Sequence, residues 1–117
     1  MSVEKARNNY VGKNGFRMNC AQSVADAFKD KYNVSQEAVD SFGMCGGGRA
    51  PKGMCGALYA AKTILEKSNQ HDEAKKLEQL FAENAGAITC QDIKLGRKLS
   101  CVGCVEKTSE FLHNNKK

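Results

Sequence analysis

Apolar side chains along this chain recur mostly at helical spacing, and no stretch shows the sustained alternation of β-branched residues that a strand needs. Val3, Ala6 and Tyr10 mark one face of a first helix, Val3 to Val11, with Ser2 as its cap and Gly12 and Gly15 closing it. Cys20, Val24, Ala27 and Phe28 stripe a second helix. Asn19 opens it, able to accept from first-turn amides, and Gln22 follows three residues on as in a capping box. Ser35 starts a short third helix carrying Ala38, Val39 and Phe42, which Gly43 is expected to stop. From Met54 to Leu65 nearly every face is apolar or small, interrupted by Lys62 and Thr63. That predicts a central buried helix, starting near Gly53 or Met54 because Pro51 cannot lie inside it. Asn69 to Ala85 is amphipathic, with Ala74, Leu77, Leu80 and Phe81 inward and Asp72, Glu73, Lys75 and Lys76 outward, and Gly86 ends it. Thr89 caps a brief helix ended by Gly96, and Ser100 caps a last one from Cys101 to about His113, with Val105, Phe111 and Leu112 as apolar contacts. The expectation is an all-α protein: one compact domain over residues 1–117, a bundle of about six or seven short helices, with a disordered tail from about residue 114.

Composition narrows the class. A chain of 117 residues fits one core, and 41% hydrophobic content with 7% aromatics and no tryptophan makes that core aliphatic and small-residue. No run approaches the roughly 18 apolar residues of a membrane span, and MSVEKARNNY has no apolar signal segment, so a cytoplasmic protein without membrane insertion is expected. The net charge of +5 lies partly on Lys94, Arg97, Lys98, Lys116 and Lys117, without a dense basic stripe interleaved with aromatics, which argues against nucleic acid as a partner. Six cysteines in a reducing compartment point to metal ligation or redox chemistry before structural disulfides.

The cysteines carry the candidate chemistry. Cys20 follows Asn19, Cys90 follows Thr89, Cys101 follows Ser100, and Cys55 stands at the start of the central helix. Each is thus predicted at a helix start, where amides lack intrahelical partners and the helix dipole is positive. That setting favours thiolate over thiol and is expected to lower the cysteine pKa. Four such positions argue for convergence on one anionic site: an iron–sulfur cluster, a zinc centre, or a set of reactive thiols with no metal. Cys45 lies in the glycine-rich loop GMCGGGRAPKGMCG, and Cys104 forms a C-x-x-C with Cys101, so both are candidates for extra ligands or resolving thiols. In the metal-free case the expected pairs are Cys101 with Cys104 or Cys45 with Cys55. The loop lacks the Gly-Lys-Ser/Thr ending of a phosphate-binding loop, and Gly46, Gly47 and Gly48 are read as amide donors to sulfur. His71 and His113 sit among polar residues and are expected at the surface, and no hydrolytic constellation stands out.

The order NCAQSVADAF, GGGRAPKGMCGAL, a lone Cys90 and CVGCVEKTSEFL resembles the C-GCAxxG-C-C family of redox-active cysteine proteins, over about Asn19 to Leu112. The resemblance implies a small, mainly helical protein with four defining cysteines, matched here to Cys20, Cys55, Cys90 and Cys101. Cys101 is preferred to Cys104 for its distance from the following helix pattern. The family's name rests on those cysteines and specifies no reaction. Where the family has C-G-A-x-x-G this chain has C-G-A-L-Y-A, with Ala60 for the last glycine. The expected function is electron transfer through an iron–sulfur cluster held by the four cysteines. A metal-free thiol–disulfide protein and an interaction module with a four-thiolate zinc site are the alternatives. A redox partner protein is implied, and a homodimer bringing two sites together is compatible with the sequence.

Overall fold

A computed structural model describes residues 2–12, 18–44, 53–96 and 99–114. Three of the helices begin where capping side chains stand. Asn19 Oδ1 accepts from the Gln22 amide at 2.8 Å, Ser35 Oγ from the Ala38 amide at 3.1 Å, and Ser100 Oγ from the Gly103 amide at 3.0 Å. These caps open α2 (Cys20–Phe28), α3 (Gln36–Ser41) and α7 (Cys101–Asn114). The other helices are α1 (Ser2–Val11), α4 (Gly56–Lys67), α5 (His71–Ala85) and α6 (Cys90–Gly96). Gly12 (φ 87°) and Gly86 (φ 83°) close α1 and α5 in the left-handed region that glycine enters without strain. Among the described residues there is no strand, and the fold is all-α as expected.

The central helix is α4. Gly56, Ala57, Leu58, Ala60, Ala61, Ile64 and Leu65 are buried along it, and small side chains on several faces let neighbours approach from several directions. Its main packing partners are α2, α5 and α7, while α1 lies across α2 and α7. The core joins Val24 and Phe28 from α2, Leu58 and Leu65 from α4, Leu77 and Phe81 from α5, and Val105 and Leu112 from α7. A buried polar seam crosses α1 and α2, where Asn9 Nδ2 donates to Asp26 Oδ2 at 3.0 Å. Lys31 Nζ reaches the other end of the bundle, donating to the carbonyls of Leu112 and His113 at 2.7 and 2.9 Å and capping the negative end of α7.

Four local expectations need correction. Gly43 does not stop the chain's coiling, because Phe42–Met44 continues α3 as a 3-10 turn. The central helix starts at Gly56, later than periodicity suggested, because Cys55 is extended (φ −55°, ψ 129°) and its amide bonds outside the helix. α5 starts at His71, since Asn69 sits at φ 60°. Leu80, expected inward, is 47% exposed, because the buried stripe of α5 runs through Ala74, Leu77, Phe81 and Ala85.

Asn19 does more than cap. Its Nδ2 donates to the carbonyls of Phe42 and Gly43 at 3.0 and 2.9 Å, tying the start of α2 to the 3-10 turn. Asn19→Ala removes the cap and both ties and should cost about 1–2 kcal/mol in urea unfolding. Asn19→Asp retains the cap acceptor and loses only the donors, so its loss should be the smaller of the two.

Candidate functional site

Three helices deliver sulfur to one place. Cys20 is the first residue of α2, Cys55 is the N-cap of α4, and Cys104 lies one turn into α7. Cys55 is 6% exposed and Cys104 2% exposed, whereas Cys20 is half-buried. The thiol of Cys55 is hydrogen-bonded to both of the others, Cys104 and Cys20. The sulfurs therefore form a chain, with Cys55 in the middle and the more exposed Cys20 at one end. None of Cys20, Cys55, Cys90 or Cys104 is in a disulfide.

The backbone fixes this arrangement through a contact absent from the sequence pattern. The Cys55 amide donates to the Ile88 carbonyl at 2.8 Å, and Met54 pairs with Thr89 in an antiparallel bridge. The chain entering α4 is thereby laid beside the chain entering α6, with Cys90 the first residue of α6 and half-buried. Gly53 permits the approach with φ 71°, a conformation that strains residues carrying a Cβ. In α7, a Cβ on Gly103 would lie 2.7 Å from Leu99 Cδ1 and 3.2 Å from Ser100 Oγ, so the glycine of C-V-G-C lets the capping segment fold against the first turn. Thr108 Oγ1 donates to the Cys104 carbonyl at 2.9 Å, satisfying its buried hydroxyl within the helix.

The expected fall in thiol pKa does not hold for Cys55. Its thiol is pushed up from 9.0 to about 12. The leading cause is its own hydrogen bond to Cys104, which needs the proton in place; burial and the negative charge that Cys104 would carry add to it. The hydrogen bond from Cys20 and the Leu58 amide of the first turn oppose the rise, the amide without the geometry of a capping bond. A helix terminus is worth about 0.3–1 kcal/mol. A rise from 9.0 to about 12 corresponds to roughly 4 kcal/mol, so the neighbouring thiol and the burial prevail.

Of the six cysteines proposed from sequence, Cys55 is thus brought into contact with Cys20 on one side and Cys104 on the other. Cys90 is placed near them through the backbone pairing. Cys45, with Gly46, Gly47 and Gly48, lies outside the described residues, as does the side chain of Cys101, although Cys101 does begin α7. Cys104, ranked below Cys101 from sequence, is the α7 cysteine that meets Cys55. A signal for it was available: Cys104, Thr108 and Leu112 recur at four-residue spacing, and all three are buried. His71 and His113 are exposed, as expected. Among the described residues, no set of three or more His, Cys, Asp or Glu side chains is grouped so as to hold a metal ion, and no helix is long and apolar enough to cross a membrane.

The family described as "Putative redox-active protein (C_GCAxxG_C_C)" matches residues 18–115. No curated protein and no solved structure gives a significant match. The chain belongs to the C-GCAxxG-C-C family, and the contact of Cys20 and Cys55 brings two of its cysteine motifs together.

The buried thiol makes two measurable predictions. At pH 8, iodoacetamide should modify Cys55 roughly a thousand-fold more slowly than an ordinary thiol, and Cys104→Ala should restore much of that reactivity. Because the folded value lies above the unfolded 9.0, the unfolded chain loses this proton first. The stability advantage of wild type over Cys55→Ala should therefore be complete below pH 9.0 and shrink as pH rises toward about 12, as read by urea unfolding across that range.

Proposed function

We propose that this chain is a thiol-based redox protein whose working pair is Cys55 and Cys104, with Cys20 as the third sulfur of the centre. The supporting observation is the hydrogen-bonded chain of sulfurs that three separate helices assemble in a nearly closed interior. Three thiols in a medium of low polarity cannot all ionise, since each negative charge raises the cost of the next. Forming a disulfide between Cys55 and Cys104 removes two of them, releasing two electrons and two protons. Membership of a family described as redox-active supports the same reading.

An iron–sulfur cluster is the second reading. It is favoured by the cysteines that begin α2, α6 and α7, together with Cys55 immediately before α4. Cys20, Cys55, Cys90 and Cys101 would hold the cluster, with Cys104 and Cys45 as further donors. The chemistry of the set fits, since thiolates are the ordinary cluster ligands and the metal would take the place of the proton on Cys55. A cluster would supply one-electron transfer, and the first-turn amides would offset its negative charge. A structural zinc site would draw on the same donors.

Anaerobic purification, absorption spectroscopy and metal analysis, followed by titration against a dithiothreitol couple with alkylation and mass mapping, separate these readings. Metal-free protein with a reversible Cys55–Cys104 disulfide is the expected result. Brown protein with iron and acid-labile sulfide would replace it with the cluster, and stoichiometric zinc in a colourless protein would replace it with the structural site. Metal-free protein whose cysteines stay alkylatable at every potential would overturn all three.

A further inference from the structure

The order of the sulfurs implies an order of events, which rests on the dithiol reading above. We propose that Cys20 is the entry thiol for a low-molecular-weight disulfide, and that Cys55 and Cys104 then take the disulfide into the interior and restore Cys20. Cys20 is the exposed end of the chain of sulfurs, and Cys104, 2% exposed, is the closed end. Cys55 touches both and is 6% exposed, so an outside disulfide reaches it only through a neighbour. A half-buried sulfur leaves a slim disulfide less to displace than it would the surface of a folded protein. Cys90 is half-buried as well, but among the described residues the sulfur neighbours of Cys55 are Cys20 and Cys104.

The steps balance. The Cys20 thiolate attacks one sulfur of R–S–S–R, forming a mixed disulfide and releasing one RS⁻, which takes up the proton Cys20 has lost. Cys55 attacks the Cys20 sulfur, forming Cys20–Cys55 and releasing the second RS⁻, which is protonated by the proton Cys55 gives up. Cys104 attacks the Cys55 sulfur, forming Cys55–Cys104, and the departing Cys20 takes the proton from Cys104. The sum is R–S–S–R and two thiols giving two RSH and one buried disulfide. Cys20 is again a thiol, ready for the reverse exchange with an outside thiol. Since the middle sulfur belongs to both disulfides, the transfer needs only short movements of side chains already in contact.

The test uses the full chain and hydroxyethyl disulfide. Rapid acid quenching, alkylation and peptide mapping of wild type should find a transient adduct on Cys20, then Cys55–Cys104 with Cys20 alkylated. Cys55→Ala should hold the adduct on Cys20. Cys20→Ala should form Cys55–Cys104 at least about a hundred-fold more slowly. An unchanged rate in Cys20→Ala, or a first adduct on Cys90 or Cys104 in wild type, overturns the relay and leaves the dithiol centre standing. Absence of any Cys55–Cys104 disulfide in wild type overturns the dithiol reading and the relay with it. The wild-type mapping needs no substitution, so it decides the matter even if a variant fails to fold.

Discussion

The hydrogen bond from the Cys55 amide to the Ile88 carbonyl sets where the central helix begins, and the sulfur contacts follow from that start. Had α4 begun at Met54, that amide would have belonged to the first turn of the helix, and each residue of helix turns the side chain by about 100°. Bonded instead to the strand-like segment before α6, Cys55 stays extended and its sulfur lies between α2 and α7. The small residues that follow then matter: Gly56, Ala57, Ala60 and Ala61 keep α4 slim where α2 and α7 close on it. One backbone contact and a run of side chains with little bulk thus bring together cysteines that are 35 and 49 positions apart in sequence (20 to 55, and 55 to 104).

Helix starts locate these cysteines, but they do not by themselves activate them. The terminal amides and dipole favour a thiolate at each. Their effect is limited by the other sulfurs, which compete for the same positive environment, and by burial, which penalises any charge. At Cys55 both opposing influences are strong, and the thiol is the stable form well above neutral pH. Protection of this kind suits a buried redox pair. A sulfur that rarely ionises is poorly reactive toward stray oxidants, and it reacts when a neighbouring sulfur has already been converted to a disulfide partner.

Much of this was legible in the chain because caps are local. Asn19, Ser35 and Ser100 accept from amides three residues on, and the positions of Cys20 and Cys101 at helix starts follow from those pairs. The stripe of α2 and the near-continuous apolar surface of α4 were equally readable from periodicity. What could not be read was non-local. The Met54–Thr89 bridge joins two segments too short to show a strand pattern, so no sequence pattern announces it. The role of Cys104 depended on α7 packing against α4. Its four-residue register with Thr108 and Leu112 marked it as buried but not as adjacent to Cys55. The fall in pKa expected for the four helix-start cysteines came from considering one helix at a time, when at Cys55 the deciding neighbours belong to two others.

The same geometry explains why a chain of sulfurs differs from a simple pair. Two buried thiols alone would have to be reached directly by any outside disulfide, which requires opening the core around Cys104. In the proposed relay a third sulfur at the edge removes that need, since exchange would run between atoms already in contact while the helices that carry them stay packed. The arrangement also separates two requirements that conflict at one site. The edge position must be accessible and able to ionise, and the interior pair must be shielded so that its disulfide persists. Asn19 serves the edge position by capping the helix that Cys20 begins and holding its first turn against the carbonyls of Phe42 and Gly43. Gly53 and the Ile88 contact serve the interior pair by setting the approach of Cys55. The two supports share no residue, so accessibility at the edge and shielding of the pair can be altered separately by substitution.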